Sequence, residues 1–452
     1  MGTDSVVQLA VGALGGAIFV AICLRSLPVA VLLYLAFGGI TVIRLGAFQG
    51  DQVSQGVFPG HAMASVVIGV WLLKLLVDQR RSGDRFLTLP VNLPLLLILG
   101  VAAVSLLLGF VRFDRSVESE IKMTVSIGQI VLFAWGIGSY FVAANVVDDS
   151  RWLRLATGVL IAMAGLAWFA LVAPFPLSQN WEPVSYGGMA AAPMCVAMAF
   201  YTRRHWAKVL LIFLSLSPLY YGISNGKASF YFFFATAVGT VLVMKLRRGL
   251  VIGVPVVLAL YIVAVPLASQ DALPGIVREL IDREVEQQSL GGRAGRVELA
   301  RDALNIWAGY PLFGVGPANS YAYMTRYSVI GTPHNQYINV LLELGLVGLV
   351  CFLAFLVAGF VTGVRLYYWV RDPFHRAFVL GWLGLFVGMA AGGLAADVTL
   401  LSIRNGGLPG FALYYHQWIL MGLAMSVVRL ERQARTDTAP TPPQPALRPL
   451  WT

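Results

Sequence analysis

The chain has 452 residues, 58% hydrophobic and only 12% charged, with a mean hydropathy of +0.76 and a net charge of +10. Soluble domains carry about 25% charged residues, so a water-soluble fold is excluded. The basic residues are dispersed between apolar runs rather than gathered on one soluble segment, which argues against nucleic acid and for membrane orientation.

The opening MGTDSVVQLAVGALGG has no basic region of the signal-peptide kind and reads as the start of a membrane domain. Runs long enough to cross a hydrocarbon layer of about 30 Å fall near 5–24, 27–47, 58–77, 90–110, 122–145, 152–174, 186–202, 209–225, 227–244, 250–268, 335–363, 377–400 and 410–428. The first two, joined only by Arg25, Ser26, Leu27 and Pro28, form either a tight hairpin or one broken element. The expected fold is therefore an all-α, polytopic bundle of 12 to 13 spans over residues 1–434. The segment 435–452, rich in proline, reads as a disordered cytoplasmic tail.

Basic loops set the orientation. Lys74, Arg80, Arg81 and Arg85; Arg151 and Arg154; Arg203, Arg204 and Lys208; Lys245, Arg247 and Arg248; and Arg365, Arg371 and Arg376 fall on one side, with Arg429, Arg432 and Arg435 of the tail. The positive-inside rule puts these, and the C-terminus, in the cytoplasm. By parity, 269–334 is an outer loop, periplasmic in a Gram-negative cell. Within it Ile276, Leu280, Ile281 and Val285 recur at helical spacing, which predicts an amphipathic helix at the membrane surface. A second helix is predicted from the RAGRVELARDALNIWAGYP stretch after Gly291-Gly292, ending before Pro311. Cys23, Cys195 and Cys351 all lie in apolar runs and read as packed hydrophobes.

Of the five histidines, His334 alone lies where a long polar loop enters a span, in GTPHNQYINVLLELGLVGLV. There it can titrate near neutrality and reach a reacting hydroxyl, or simply cap the following helix. Most loop charges pair on a solvated face. Arg296 differs, because it opens an apolar-faced helix with Arg293 one turn earlier, and a guanidinium suits a bidentate grip on phosphate. Lys227 stands at a helix start, where a cation is unfavourable, so it calls for an anionic ligand or side chain, or snorkels to the interface. Asp397, near the outer end of an apolar span, either carries function or makes a structural salt bridge. There is no GxxxxGK[ST], HExxH, CxxC or outer-loop DxD pattern, so neither a metal nor a nucleotide cofactor is expected.

From Gly295 to Gly348, GRVELARDALNIWAGYPLFGVGPANSY and PHNQYINVLLELGLVGLV resemble the signature region of the O-antigen ligase and polymerase superfamily of membrane glycosyltransferases. ISNGKAS resembles the family's serine-arginine-glycine segment, with Lys227 in place of arginine. Arg278 and Asp397 fall where ligases carry a basic residue and an aspartate. The resemblance implies a glycosyltransferase-C-like layout and transfer of a glycan from undecaprenyl pyrophosphate to a sugar hydroxyl of lipid A-core. It implies His334 as general base, and Arg278, Arg296 and Lys227 on the pyrophosphate. Asp397, Arg293, Asn335 and Tyr337 would support them, at the outer face of a bacterial inner membrane. An O-antigen polymerase and a protein O-oligosaccharyltransferase share the donor; a lipid or solute transporter is the rival of another class.

Overall fold

The computed structural model describes residues 3–40, 46–50, 53–78, 86–111, 123–172, 182–225, 228–246, 293–327, 331–400 and 407–437. Helices α1 (Thr3–Arg25) and α2 (Leu27–Phe37) are separate, and Pro28 sits in the first turn of α2, where its missing N–H leaves no bond unmade. A hairpin of β1 (Gly46–Gly50) and β2 (Val53–Val57) follows, antiparallel, with Gly46 opposite Val57 and Gly50 opposite Val53. Then come α3 (Pro59–Asp78), α4 (Asn92–Val111), α5 (Met123–Val146), α6 (Ser150–Val172), α7 (Glu182–Tyr201), α8 (His205–Ser215), α9 (Ser217–Asn225) and α10 (Ala228–Leu246). The C-terminal part holds α11 (Arg293–Ala308), α12 (Ser320–Met324), α13 (Gln336–Trp369), α14 (Pro373–Gly392), α15 (Gly407–Tyr414) and α16 (His416–Asp437).

The chain is a polytopic, all-α membrane protein, but the glycosyltransferase-C-like bundle of 12 to 13 spans is corrected. Among the described residues, 6 helices are long and apolar enough to cross a membrane: Pro59–Val77, Asn92–Val111, Met123–Val146, Ser150–Leu171, Gln336–Trp369 and Pro373–Gly392. The reason is that an apolar run need not be one helix. The run 27–47 yields an 11-residue helix and then the start of a hairpin. The run 209–225 breaks at Leu216 into helices of 11 and 9 residues. The run 410–428 is divided at Tyr415 between α15 and α16. The run 377–400 stops being helical at Gly392, so Asp397 lies beyond α14 rather than inside it. Helices α1, α7 and α10 are 23, 20 and 19 residues long, but their side chains are described only over Leu14–Arg25, Tyr186–Tyr201 and Phe232–Leu246, so they are not counted among the six; the expected span 250–268 lies outside the described residues.

Helix α14 is the centre of the bundle: 72% of its apolar stretch is buried by protein, against 28% for α3 and α4, which keep most of theirs for lipid. It packs against α7, α10, α13 and α16, and α16 lies along α5. In a bilayer, helices gain little from apolar burial alone and approach through small residues. Gly384 supplies such a contact, since a Cβ there would sit 2.7 Å from the Ala237 carbonyl of α10. The three cysteines are free, buried thiols.

Candidate functional site

The site is built on the N-terminus of α13. Asn335 is its N-cap, with Oδ1 accepting the amides of Tyr337 at 3.0 Å and Ile338 at 3.1 Å. His334, immediately before the cap, is half-buried and has φ +49°, and its amide donates to Thr332 Oγ1 at 3.2 Å. A non-glycine residue in the left-handed region costs about 1 kcal/mol or more and persists only where neighbours fix it.

Those neighbours come from the last turn of α14 and the segment after it. Asn335 Nδ2 donates to Leu394 O at 3.0 Å, the Gln336 amide to Gly393 O at 2.8 Å and the Tyr337 hydroxyl to Ala390 O at 2.6 Å. The Gln336 side chain, 1% exposed, is the hub: Oε1 accepts the amides of Val398 at 3.0 Å and Thr399 at 2.7 Å, while Nε2 donates to Leu400 O at 2.9 Å. Gln417 of α16 adds a bond from Nε2 to Val398 O at 2.6 Å. Asp397, buried at 5% exposure, is thus held in a segment fastened on both sides to the start of α13. A small pocket beside this segment is lined by Thr399, Gln417, Phe355, Trp382, Phe386 and Trp418.

The PLFGVG turn meets the same helix by exchanging main-chain bonds with it. An unbroken α13 would bond the Leu346 and Val347 amides to the Leu342 and Glu343 carbonyls. Gly345, at φ +70° and ψ −168°, interrupts that ladder. Leu346 and Val347 donate instead to Pro311 O at 2.9 Å and Leu312 O at 3.1 Å, and the released Leu342 and Glu343 carbonyls accept Val315 at 2.9 Å and Gly316 at 3.0 Å. Both displaced amides and both released carbonyls thus keep a main-chain partner, as buried irregular backbone requires. Glycines are required on both partners. A Cβ on Gly345 would collide with the Leu312 carbonyl, and one on Gly314, φ +70°, would lie 2.5 Å from Leu342 O. Ser105 of α4 closes the joint, its hydroxyl lying against Phe313 O and, at 2.8 Å, Glu343 O. The Glu343 carboxylate turns to Ser320, which donates to Oε1 at 2.6 Å.

Of the residues singled out in the sequence, the structure brings His334, Asn335, Tyr337 and the segment bearing Asp397 together. Arg293 and Arg296 lie in the first turn of α11, whose Leu299, Ala303 and Ile306 are buried in a cluster shared with Leu342 of α13. Their side chains, like Lys227, Arg278 and the 276–285 helix, lie outside the described residues. Sequence reasoning missed Gln336, Ser105 and Gln417. Gln336 left a signal: with Asn339 and Glu343 it forms a polar row at i, i+3 and i+7 in an apolar helix, and all three are buried.

No curated protein matches the chain. Residues 222–353, less than a third of it, match the family described as O-antigen ligase. That stretch takes in Lys227, Arg278, Arg293, Arg296, the PLFGVG turn and the HNQY segment, and it stops short of Asp397. The turn and helix that interlock through Gly345 thus lie in the part of this larger helical membrane protein that matches the O-antigen ligase family, and the match supports a general ligase or glycosyltransferase function.

Proposed function

We propose that this chain is an O-antigen ligase that transfers a glycan from undecaprenyl pyrophosphate to a sugar hydroxyl of lipid A-core in lipopolysaccharide biosynthesis. The work is done at the outer face of a bacterial inner membrane, with 269–334 as the periplasmic loop and 435–452 as the cytoplasmic tail. The observation that carries the reading is the assembly of both halves of the family-matched region on one helix, α13, with a buried aspartate segment fastened beside the histidine.

In this proposal His334 accepts the proton of the acceptor hydroxyl as that oxygen attacks the anomeric carbon. The bond from that carbon to the pyrophosphate oxygen breaks, its electron pair leaves with the lipid pyrophosphate, and the configuration inverts. Arg278, Arg296 and Lys227 meet the charge that develops on the leaving group, a role in which fixed cations need no metal beside them. Arg293 and Asp397 support these cations, while Asn335 and Tyr337 hold the His334 backbone.

The test is transfer of labelled glycan by purified protein offered lipid A-core, a pilin-like protein, or a second donor molecule. Product on lipid A-core is the expected result. Product on protein or elongated donor alone would reassign the acceptor, and no product from any of the three would overturn the enzyme reading.

A further inference from the structure

The opposite end of the bundle holds a pair of cations that the proposed chemistry does not use. Four helix ends meet there: α7 ends at Tyr201, α10 at Leu246, α13 at Trp369, and α14 begins at Pro373. The Lys245 ammonium sits 3.9 Å from the centre of the Tyr201 ring, and the Tyr201 hydroxyl lies 3.4 Å from that of Tyr367. Arg376 is held by its own turn, donating from Nε at 3.1 Å and from Nη2 at 2.5 Å to Val370 O. Helices α10 and α14 run antiparallel, with Ala237 against Gly388 and Val241 against Gly384, so Lys245, one turn beyond Val241, comes to the end of the bundle where Arg376 opens α14. Both are half-buried, and among the described residues neither is paired with a carboxylate. The nearby acids are committed elsewhere: Glu431 to His375, and Asp372 to the His375 amide at 2.9 Å.

Two half-buried like charges cost free energy that an anion between them recovers. Beside them lie apolar side chains, Leu242, Leu246 and Tyr368, exposed at 37%, 52% and 59%. A soluble anion would match the cations and not those side chains; an amphiphile matches both. We propose that Lys245 and Arg376 form a binding site for the phosphate-bearing headgroup of an anionic phospholipid, whose chains lie along α10 and α13. This inference is independent of the glycan-transfer reading.

Native mass spectrometry of the full-length protein exchanged into mixed phosphatidylglycerol and phosphatidylcholine tests it. Each interfacial cation favours an anionic headgroup by about five-fold, so the pair gives about a 25-fold preference for the bound anionic lipid. Lys245→Gln lowers that preference about five-fold, Lys245→Arg retains it, and equal melting temperatures in phosphatidylcholine alone show that both variants fold. An unchanged preference in Lys245→Gln overturns the site. Inorganic phosphate that stabilises the wild type as much as phosphatidylglycerol does would overturn the lipid as its ligand.

Discussion

Gln336 reaches across from the first turn of α13 and accepts the Thr399 amide at 2.7 Å, so one glutamine sets where the Asp397 segment stands relative to His334. Its side chain satisfies two amides and one carbonyl that are otherwise buried together. Gln336→Leu leaves them unmet at about 1 to 3 kcal/mol each, and the variant should lose both thermal stability and turnover. Gln336→Glu is the sharper test. A carboxylate still accepts from Val398 and Thr399 but opposes the Leu400 carbonyl; a carboxylic acid restores the donor. Activity of Gln336→Glu relative to wild type should therefore rise as pH falls, and a parallel pH profile would show that the donor to Leu400 does not matter.

His334→Ala should fold normally and lose about 10²- to 10⁴-fold in turnover, the range of a lost general base. The measurement is single-turnover transfer with saturating donor. Wild-type rates in a folded variant would remove His334 from the chemistry and leave it as part of the turn before the Asn335 cap.

Gly345→Ala places a Cβ into the Leu312 carbonyl at a φ that alanine disfavours. The cost should be about 3 kcal/mol or more, read as loss of folded protein after solubilisation. The comparison is Gly100→Ala in α4, where nothing lies within 4 Å of the new methyl and the helix gains about 0.5 to 1 kcal/mol. Equal stability of the two variants would mean that the main-chain exchange is not required.

At the far end, beyond the apolar part of α16, burial alone would raise the Glu431 carboxyl, but His375 and the Arg371 and Asp372 amides outweigh it and hold the group below its ordinary 4.5. A depressed folded-state value means that the stabilisation is complete above the unfolded value and is lost as pH falls through the folded one. Thermal melts should show a fall in stability below pH 4.5 that Glu431→Gln flattens. The same slope in wild type and variant would place the acid sensitivity elsewhere.

Membrane character was legible because it is a sum over hundreds of residues, and so was a helix starting beside His334, although Asn335 rather than His334 caps it. The number of spans was not. Whether the run around Leu216 or Tyr415 continues as one helix depends on what packs against it, and hydropathy carries no term for that. The signature residues His334 and Tyr337 stood out by type and position. Gln336 between them did not, because its partners lie about sixty residues further on in a segment whose backbone irregularity has no compositional mark. The polar row Gln336, Asn339 and Glu343 was readable in principle, and it identifies the buried face of α13 better than the apolar residues do.

The exchange at Gly345 has a consequence for how this region tolerates change over time. Its four bonds use main-chain atoms only, so apart from the glycines they are indifferent to which side chains occupy Pro311–Gly316 and Leu342–Val347. They depend entirely on count. One residue inserted or deleted in either stretch would bring the wrong carbonyl to each amide, so drift in composition is permitted where drift in length is not.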